Sequence, residues 1–132
     1  MSGEAISAEL DLGQARIDAW ARVSDDANPL HVDPAYARSS RFGWTIAHGH
    51  LLIAFLLEQM LAAVGPDWLR GGELRDARFR APVLAGTRCR LEATPVDPAP
   101  GASATWQIEL TDVTTGTVCV TALAVLAVPS TP

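Results

Sequence analysis

Two short stretches of this chain contain the residue types that handle protons. In Ser24-Asp25-Asp26-Ala27-Asn28-Pro29-Leu30-His31, a carboxylate and an imidazole, Asp26 and His31, stand five residues apart. Asn28-Pro29 between them is a turn or helix-stop signal, because the residue before a proline is driven out of the helical region. An irregular segment of that kind can aim both groups into a cleft. In Ala47-His48-Gly49, a glycine directly precedes a long apolar run. If the run is helical, Gly49 presents a free backbone N–H at the positive end of the helix dipole. An acid/base pair and an N–H donor suit the addition of water to an activated acyl compound, or its removal.

The elements that must position these groups can be read from periodicity. Ile6, Ala8, Leu10 and Leu12 alternate with polar residues, which predicts a first strand. From about Gln14 to Val23 the spacing becomes helical, with Ile17, Trp20, Ala21 and Val23 as the expected buried face. Residues 26–43 read as irregular, with a short helix around Pro34 to Ser39 where the proline suits a first turn and Asp33 a cap. Gly49 to about Val64 is apolar nearly all round, which predicts a buried helix ended by Gly65-Pro66. The remainder reads as strands: Leu74 to Phe79, Arg88 to Val96, and a hairpin of Ala104 to Leu110 with Val118 to Val128 around Thr114-Thr115-Gly116. One strand, one buried helix and then antiparallel strands make an α+β domain. A single sheet wrapped around the long apolar helix is the simplest way to bury that helix.

Composition narrows the classes of function. The 132 residues read as one domain, residues 1–132, with 48% hydrophobic and 19% charged residues, which is globular composition. A net charge of −5 argues against a nucleic-acid-binding surface. All ten cationic residues are arginines, and six fall between Arg70 and Arg90. They read either as solvated strand faces or as a patch that recognises a phosphorylated ligand arm. The longest apolar run, Leu51 to Leu57, is far shorter than the ~20 residues that span a bilayer. With no secretory signal in view, a cytoplasmic location is the expectation, and Cys89 and Cys119 read as buried thiols. No metal is expected from the spacing of the three histidines, and no nucleotide redox cofactor, since no Gly-x-Gly-x-x-Gly follows a strand.

Taken together, Ser24 to Leu57 resembles the signature of the MaoC-like dehydratases, the (R)-specific enoyl-CoA hydratases. Asp26, Asn28, Pro29, Leu30, His31, Phe42, His48 and Gly49 stand at matching spacing. Arg78-Phe79-Arg80-Ala81-Pro82-Val83 with Gly86 is similar to the family's first strand after the central helix. The resemblance implies a hot-dog fold and a trans-2-enoyl thioester, or its (R)-3-hydroxy partner, as ligand. It implies that Asp26 and His31 bind and activate the water, and that the Gly49 N–H meets the thioester oxygen. Asn28 is expected to fix the loop and Asp26 by local hydrogen bonds. Coenzyme A or an acyl carrier protein would bear the acyl group, and a homodimer would place the substrate tunnel at its interface.

Two positions depart from that family. His50 stands where many members have methionine, and Leu57 where some have a supporting serine. Leu57 lies eight residues beyond Gly49, ~12 Å along a helix and within about 80° of the same direction, so it is expected to line the same pocket. His48 is expected to serve in packing or at the helix start, with a direct part in the chemistry as the alternative. His50 is expected on the surface or along the pocket, with no chemistry of its own. A thioesterase using Glu58, the acid well inside the central helix, is the competing enzymatic reading, but it leaves Asn-Pro-Leu-His unexplained. A non-catalytic partner subunit of a hot-dog heterodimer is the third.

Overall fold

The computed structural model describes residues 3–128. The chain begins with strand β1 (Ile6–Leu12) and helix α1 (Gln14–Ser24). Two short helices come next, α2 (Pro29–Val32) and α3 (Pro34–Arg38). The long helix α4 (Gly49–Val64) and a short α5 (Pro66–Gly71) lead into four consecutive strands. These are β2 (Gly72–Phe79), β3 (Thr87–Val96), β4 (Ala102–Asp112) and β5 (Val118–Ala127). They join β1 in one five-stranded sheet of order β1-β3-β4-β5-β2, with every pairing antiparallel.

Alternation along the strands builds the core. Leu10, Leu91, Ile108, Leu110, Val120 and Ala124 turn one face of the sheet inward, each at most 6% exposed. Leu52, Leu56 and Met60 of α4 pack into the same cluster. This is the hot-dog arrangement that the sequence implied, with α4 held against the sheet. Each such leucine, isoleucine, valine or methionine side chain, removed from water, contributes ~1.5–3 kcal/mol before the entropy of ordering is counted.

Several local expectations need correction. Val23 is 80% exposed, so the buried face of α1 is Ile17 and Ala21, with Trp20 partly covered. Asn28-Pro29 starts a helix where a stop or turn was expected. The Asn28 side chain accepts from the Leu30 N–H at 3.0 Å and Pro29 takes the first helical position. Pro66 likewise opens α5 directly after α4, a short helix that the periodicity did not mark before the strand at Leu74. Finally, α4 is not buried all round: Leu57 and Leu61, one turn apart, are 38% and 37% exposed.

A bulge in β2 bears on the site. The register with β5 slips between Arg75 and Arg78, and Asp76 there takes a φ of 52°. Such an extra residue bends the strand and re-aims the side chains beyond it. Phe79, the last residue of β2, comes to lie against Gly49 at the start of α4.

Candidate active site

Asp26 and His31 do converge, though on different kinds of backbone. Asp26 follows the left-handed C-cap of α1, where Asp25 has a φ of 57°, and lies on the short link to α2. His31 sits within the single turn of α2, not on a loop. That turn is pinned by two residues, one of them braced by a third. The Gln14 side chain donates to the His31 carbonyl oxygen at 2.7 Å, and Thr45, fully buried, donates its hydroxyl to Gln14 at 2.5 Å. The Ile46 N–H bonds the Leu30 carbonyl at 3.1 Å. Gln14 and Thr45 are supporting residues that no local signal in the sequence marked.

Hydrogen bonds assign the proton on each ring. His31 Nδ1 lies 2.7 Å from the Ile46 carbonyl oxygen, which only accepts, so Nδ1 bears a hydrogen and, in the neutral ring, Nε2 keeps a free lone pair. His48, 1% exposed, places Nε2 2.8 Å from the Asp26 carbonyl oxygen, so there Nε2 bears the hydrogen. Its Nδ1 is buried with no partner among the described residues. Burial pushes the His48 pKa below the usual histidine value, which keeps this ring neutral. The rings of His31 and His48 stack, with centroids 3.8 Å apart and planes 22° apart. His48 is thus both the residue before α4 and the platform on which His31 rests.

The Asp26 carboxylate is held on two sides. His50 Nε2 lies 3.1 Å from Oδ2, and the Asn28 backbone N–H donates to Oδ1 at 3.3 Å. The His50 hydrogen bond first, and the Asn28 one after it, hold the carboxyl below its ordinary range. His50, expected to have no chemistry of its own, contacts the Asp26 carboxylate directly, and Asn28 steadies Asp26 by a local hydrogen bond from its backbone N–H while its side chain caps α2.

Asp26, His31 and His48 each bring a ligand-type atom within 4.8 Å of the other two. Three such atoms are also a minimal cation cluster. One nitrogen of each ring bonds a backbone carbonyl, which leaves His31 Nε2 and His48 Nδ1 as the free ring atoms of the cluster. The same atoms can hold a water molecule between carboxylate and imidazole.

Gly49 begins α4, whose first turn closes on the His48 carbonyl through the Leu51 and Leu52 N–H groups. A Cβ at position 49 would meet Phe79 Cζ at 3.0 Å, so the ring of Phe79 covers the face of Gly49. Phe79 itself is 56% exposed. Leu57, by contrast, sits ~12 Å along the helix axis from Gly49 and points outward with Leu61. A groove of about 240 Å³ runs between α1 and α4, lined by Trp20, Leu51, Ala54, Phe55 and Glu58 among others. Leu57 is not among those residues, and Glu58 lies in the groove, outside the Asp26 cluster.

The arginine cluster is largely neutralised. Arg70 pairs with Asp67, Arg75 with Glu73, Arg88 with Glu9 and Asp11, and Arg90 with Glu9. Arg78 and Arg80, which flank Phe79, have no carboxylate partner among the described residues. No helix among the described residues is long and apolar enough to cross a membrane.

Comparison with known proteins gives a consistent picture. A family described as MaoC like domain matches residues 3–118. The (R)-specific enoyl-CoA hydratase of Aeromonas caviae is 37% identical over 83 residues, which is 61% of this chain and 59% of that protein. The 3-hydroxyacyl-thioester dehydratase Z of Mycobacterium tuberculosis is 36% identical over 80 residues, 58% of this chain and 53% of that protein. The matched stretches thus span little more than half the length of these two relatives. Among solved structures, the (R)-hydratase of A. caviae superposes with a TM-score of 0.76 at 29% identity, covering 96% of both chains.

Proposed function

The chain belongs to the MaoC-like dehydratase family, and from that premise we propose that it catalyses the reversible hydration of a trans-2-enoyl thioester to the (R)-3-hydroxyacyl thioester. One observation above the others supports this: an ionised Asp26 and a His31 with a free Nε2 lone pair lie within 4.8 Å, beside the start of α4. Both are acceptors in the resting site. One water can therefore donate a hydrogen to each, which leaves its own lone pair for the β-carbon of the enoyl group. As the C–O bond forms, the water proton passes to one member of the pair. The electrons of the C=C bond move onto the thioester oxygen as an enolate. The Gly49 N–H, at the positive end of α4, meets that charge; one such donor supplies about 3 kcal/mol of transition-state stabilisation in comparable oxyanion sites. The enolate then collapses to take the proton at the α-carbon. The proton lost by water is the one the α-carbon gains, so the pair ends as it began. Dehydration is the same path reversed.

The acyl carrier would be coenzyme A or an acyl carrier protein, since both present the same phosphopantetheine arm. Arg78 and Arg80, without carboxylate partners among the described residues and adjacent in sequence to Phe79, are the candidates to meet a phosphate of that arm. We further assign the active form as a homodimer. The edge strands β1 and β2 and the exposed Leu57 and Leu61 of α4 are surfaces that a second copy can cover. A tunnel wall at Leu57 would be completed in that way.

The test is crotonyl-CoA hydration followed beside a thiol-release assay. Loss of the conjugated-thioester absorbance without thiol release, giving the (R)-product on chiral analysis, is the expected result. Thiol release would instead point to a thioesterase, and neither signal to a partner subunit.

A further inference from the structure

His50 occupies a place that the hydration chemistry leaves without a task. The indole N–H of Trp20 is a donor only, and it lies 2.6 Å from His50 Nδ1. Nδ1 must therefore accept, and the hydrogen of the neutral ring must sit on Nε2. That nitrogen is the one 3.1 Å from Asp26 Oδ2. Trp20 thus selects the tautomer that can donate to the carboxylate. The ring planes of Trp20 and His50 are 37° apart with centroids at 5.7 Å, and His50 also lies 5.2 Å from the ring of His48. His50 is bounded by Trp20 on α1, by His48 at the start of α4 and by Asp26 itself.

We propose that His50 is a positioning residue for the proton-transfer pair, held as its Nε2–H tautomer by Trp20 so that it fixes the Asp26 carboxylate toward the water shared with His31. The proposal rests on the hydratase reading for its kinetic consequence. Its structural content, a Trp20–His50–Asp26 hydrogen-bonded chain, does not. The logic is one of freedom removed. The carboxylate sits on a short link with half-exposed surroundings, and its other fixed bond is the long one from the Asn28 N–H. Without His50, the carboxylate can rotate away from His31. The position also couples two parts of the site: His50 directly follows Gly49, so the turn that presents the oxyanion donor also holds the Asp26 carboxylate.

The titratable groups that face Asp26 are His50 and His48 at the start of α4 and His31 on α2. The experiment separates their effects with three variants of the full chain. His50→Leu removes the donor. His50→Gln restores an N–H at about the reach of Nε2 but cannot titrate. Trp20→Phe removes the donor that selects the tautomer. Two readouts are taken: the pH profile of crotonyl-CoA hydration, and NMR of the His50 ring nitrogens and the Asp26 carboxyl carbon. His50→Leu should lower kcat about 10- to 100-fold, the scale of a misplaced catalytic group, with KM little changed. It should also move the titration of the Asp26 carboxyl to higher pH. His50→Gln should recover most of both, and Trp20→Phe should populate the Nδ1–H form of His50. A wild-type protein with His50 in the Nδ1–H form overturns the proposal. So does a Leu variant with unchanged kcat and Asp26 titration, or a Gln variant no better than Leu. Should the wild-type protein show no hydration at all, the hydratase reading fails, and the NMR arm still decides the contact.

Discussion

Replacing Gly49 by alanine tests whether its bare face is there for packing or for substrate. Position 49 is the first residue of α4 and its φ is not positive, so alanine meets no backbone strain. Its Cβ would lie 3.0 Å from Phe79 Cζ and 3.3 Å from Cε1, where ordinary contact begins near 3.4 Å. The ring must retreat by a few tenths of an ångström. Phe79 is 56% exposed and ends an edge strand, so it has room to do so. Against that small cost stands the gain of alanine over glycine, about 0.4–1 kcal/mol through the unfolded chain. Stability should therefore hold or rise, by no more than about 4 °C in Tm for a chain of this size. Activity should move the other way. The new methyl group and the displaced Phe79 ring crowd the helix start beside the Gly49 N–H, and kcat/KM for crotonyl-CoA should fall at least about tenfold, or about 1.4 kcal/mol in the barrier. A thermal melt and the hydration assay on Gly49→Ala, Phe79→Ala and the double variant decide it. If Phe79→Ala relieves any loss of Tm but not the loss of rate, the methyl group itself blocks the site. Unimpaired hydration by Gly49→Ala would refute the placement of the thioester. A fall in Tm of many degrees would show that Gly49 serves packing instead.

Asp26→Asn and His31→Ala should each reduce turnover at least ~100-fold while the thermal melt keeps its cooperativity, since the Gln14 bond that pins α2 goes to the His31 backbone. Leu57→Ser should reorder kcat/KM across linear, branched and polar enoyl-CoAs more than it lowers the best value; an unchanged rank order would place Leu57 outside the acyl pocket. Light scattering should give twice the 14.0 kDa of one chain, and a monomer that hydrates crotonyl-CoA would remove the dimeric tunnel. Burial pushes the Cys89 thiol from an ordinary 9.0 up to about 12. Between those values the unfolded chain ionises and the folded one does not, so stability falls as pH rises. Urea midpoints should drop from pH 8 to pH 10, and Cys89→Ala should flatten that slope.

What the sequence determined by itself is local. The apolar run from Gly49 with Gly65-Pro66 behind it marks α4 to its observed ends, Gly49 and Val64. Alternation marks β1, β3 and the β4–β5 hairpin, because side-chain direction in a strand depends only on position along the chain. The nearness of Asp26 and His31 was also legible, since five residues and a tight turn hold them together. Where local signals are ambiguous, the chain left the choice to its surroundings. Asn28-Pro29 can end a helix or cap one, and α2 is held because the Gln14 side chain and the Ile46 N–H donate to its carbonyls, with Thr45 bracing Gln14. Val23 is apolar at a helical spacing, yet it is 80% exposed, with no element packed over it among the described residues. The finer design of the site lies wholly beyond local reach. His50 meets Asp26 across 24 residues, Trp20 meets His50 across 30, and Thr45 meets Gln14 across 31. Periodicity and propensity act over one or two turns. Which imidazole faces which carboxylate, and on which nitrogen the hydrogen rests, was decided only when α1 and α4 packed together and brought their side chains within hydrogen-bonding distance.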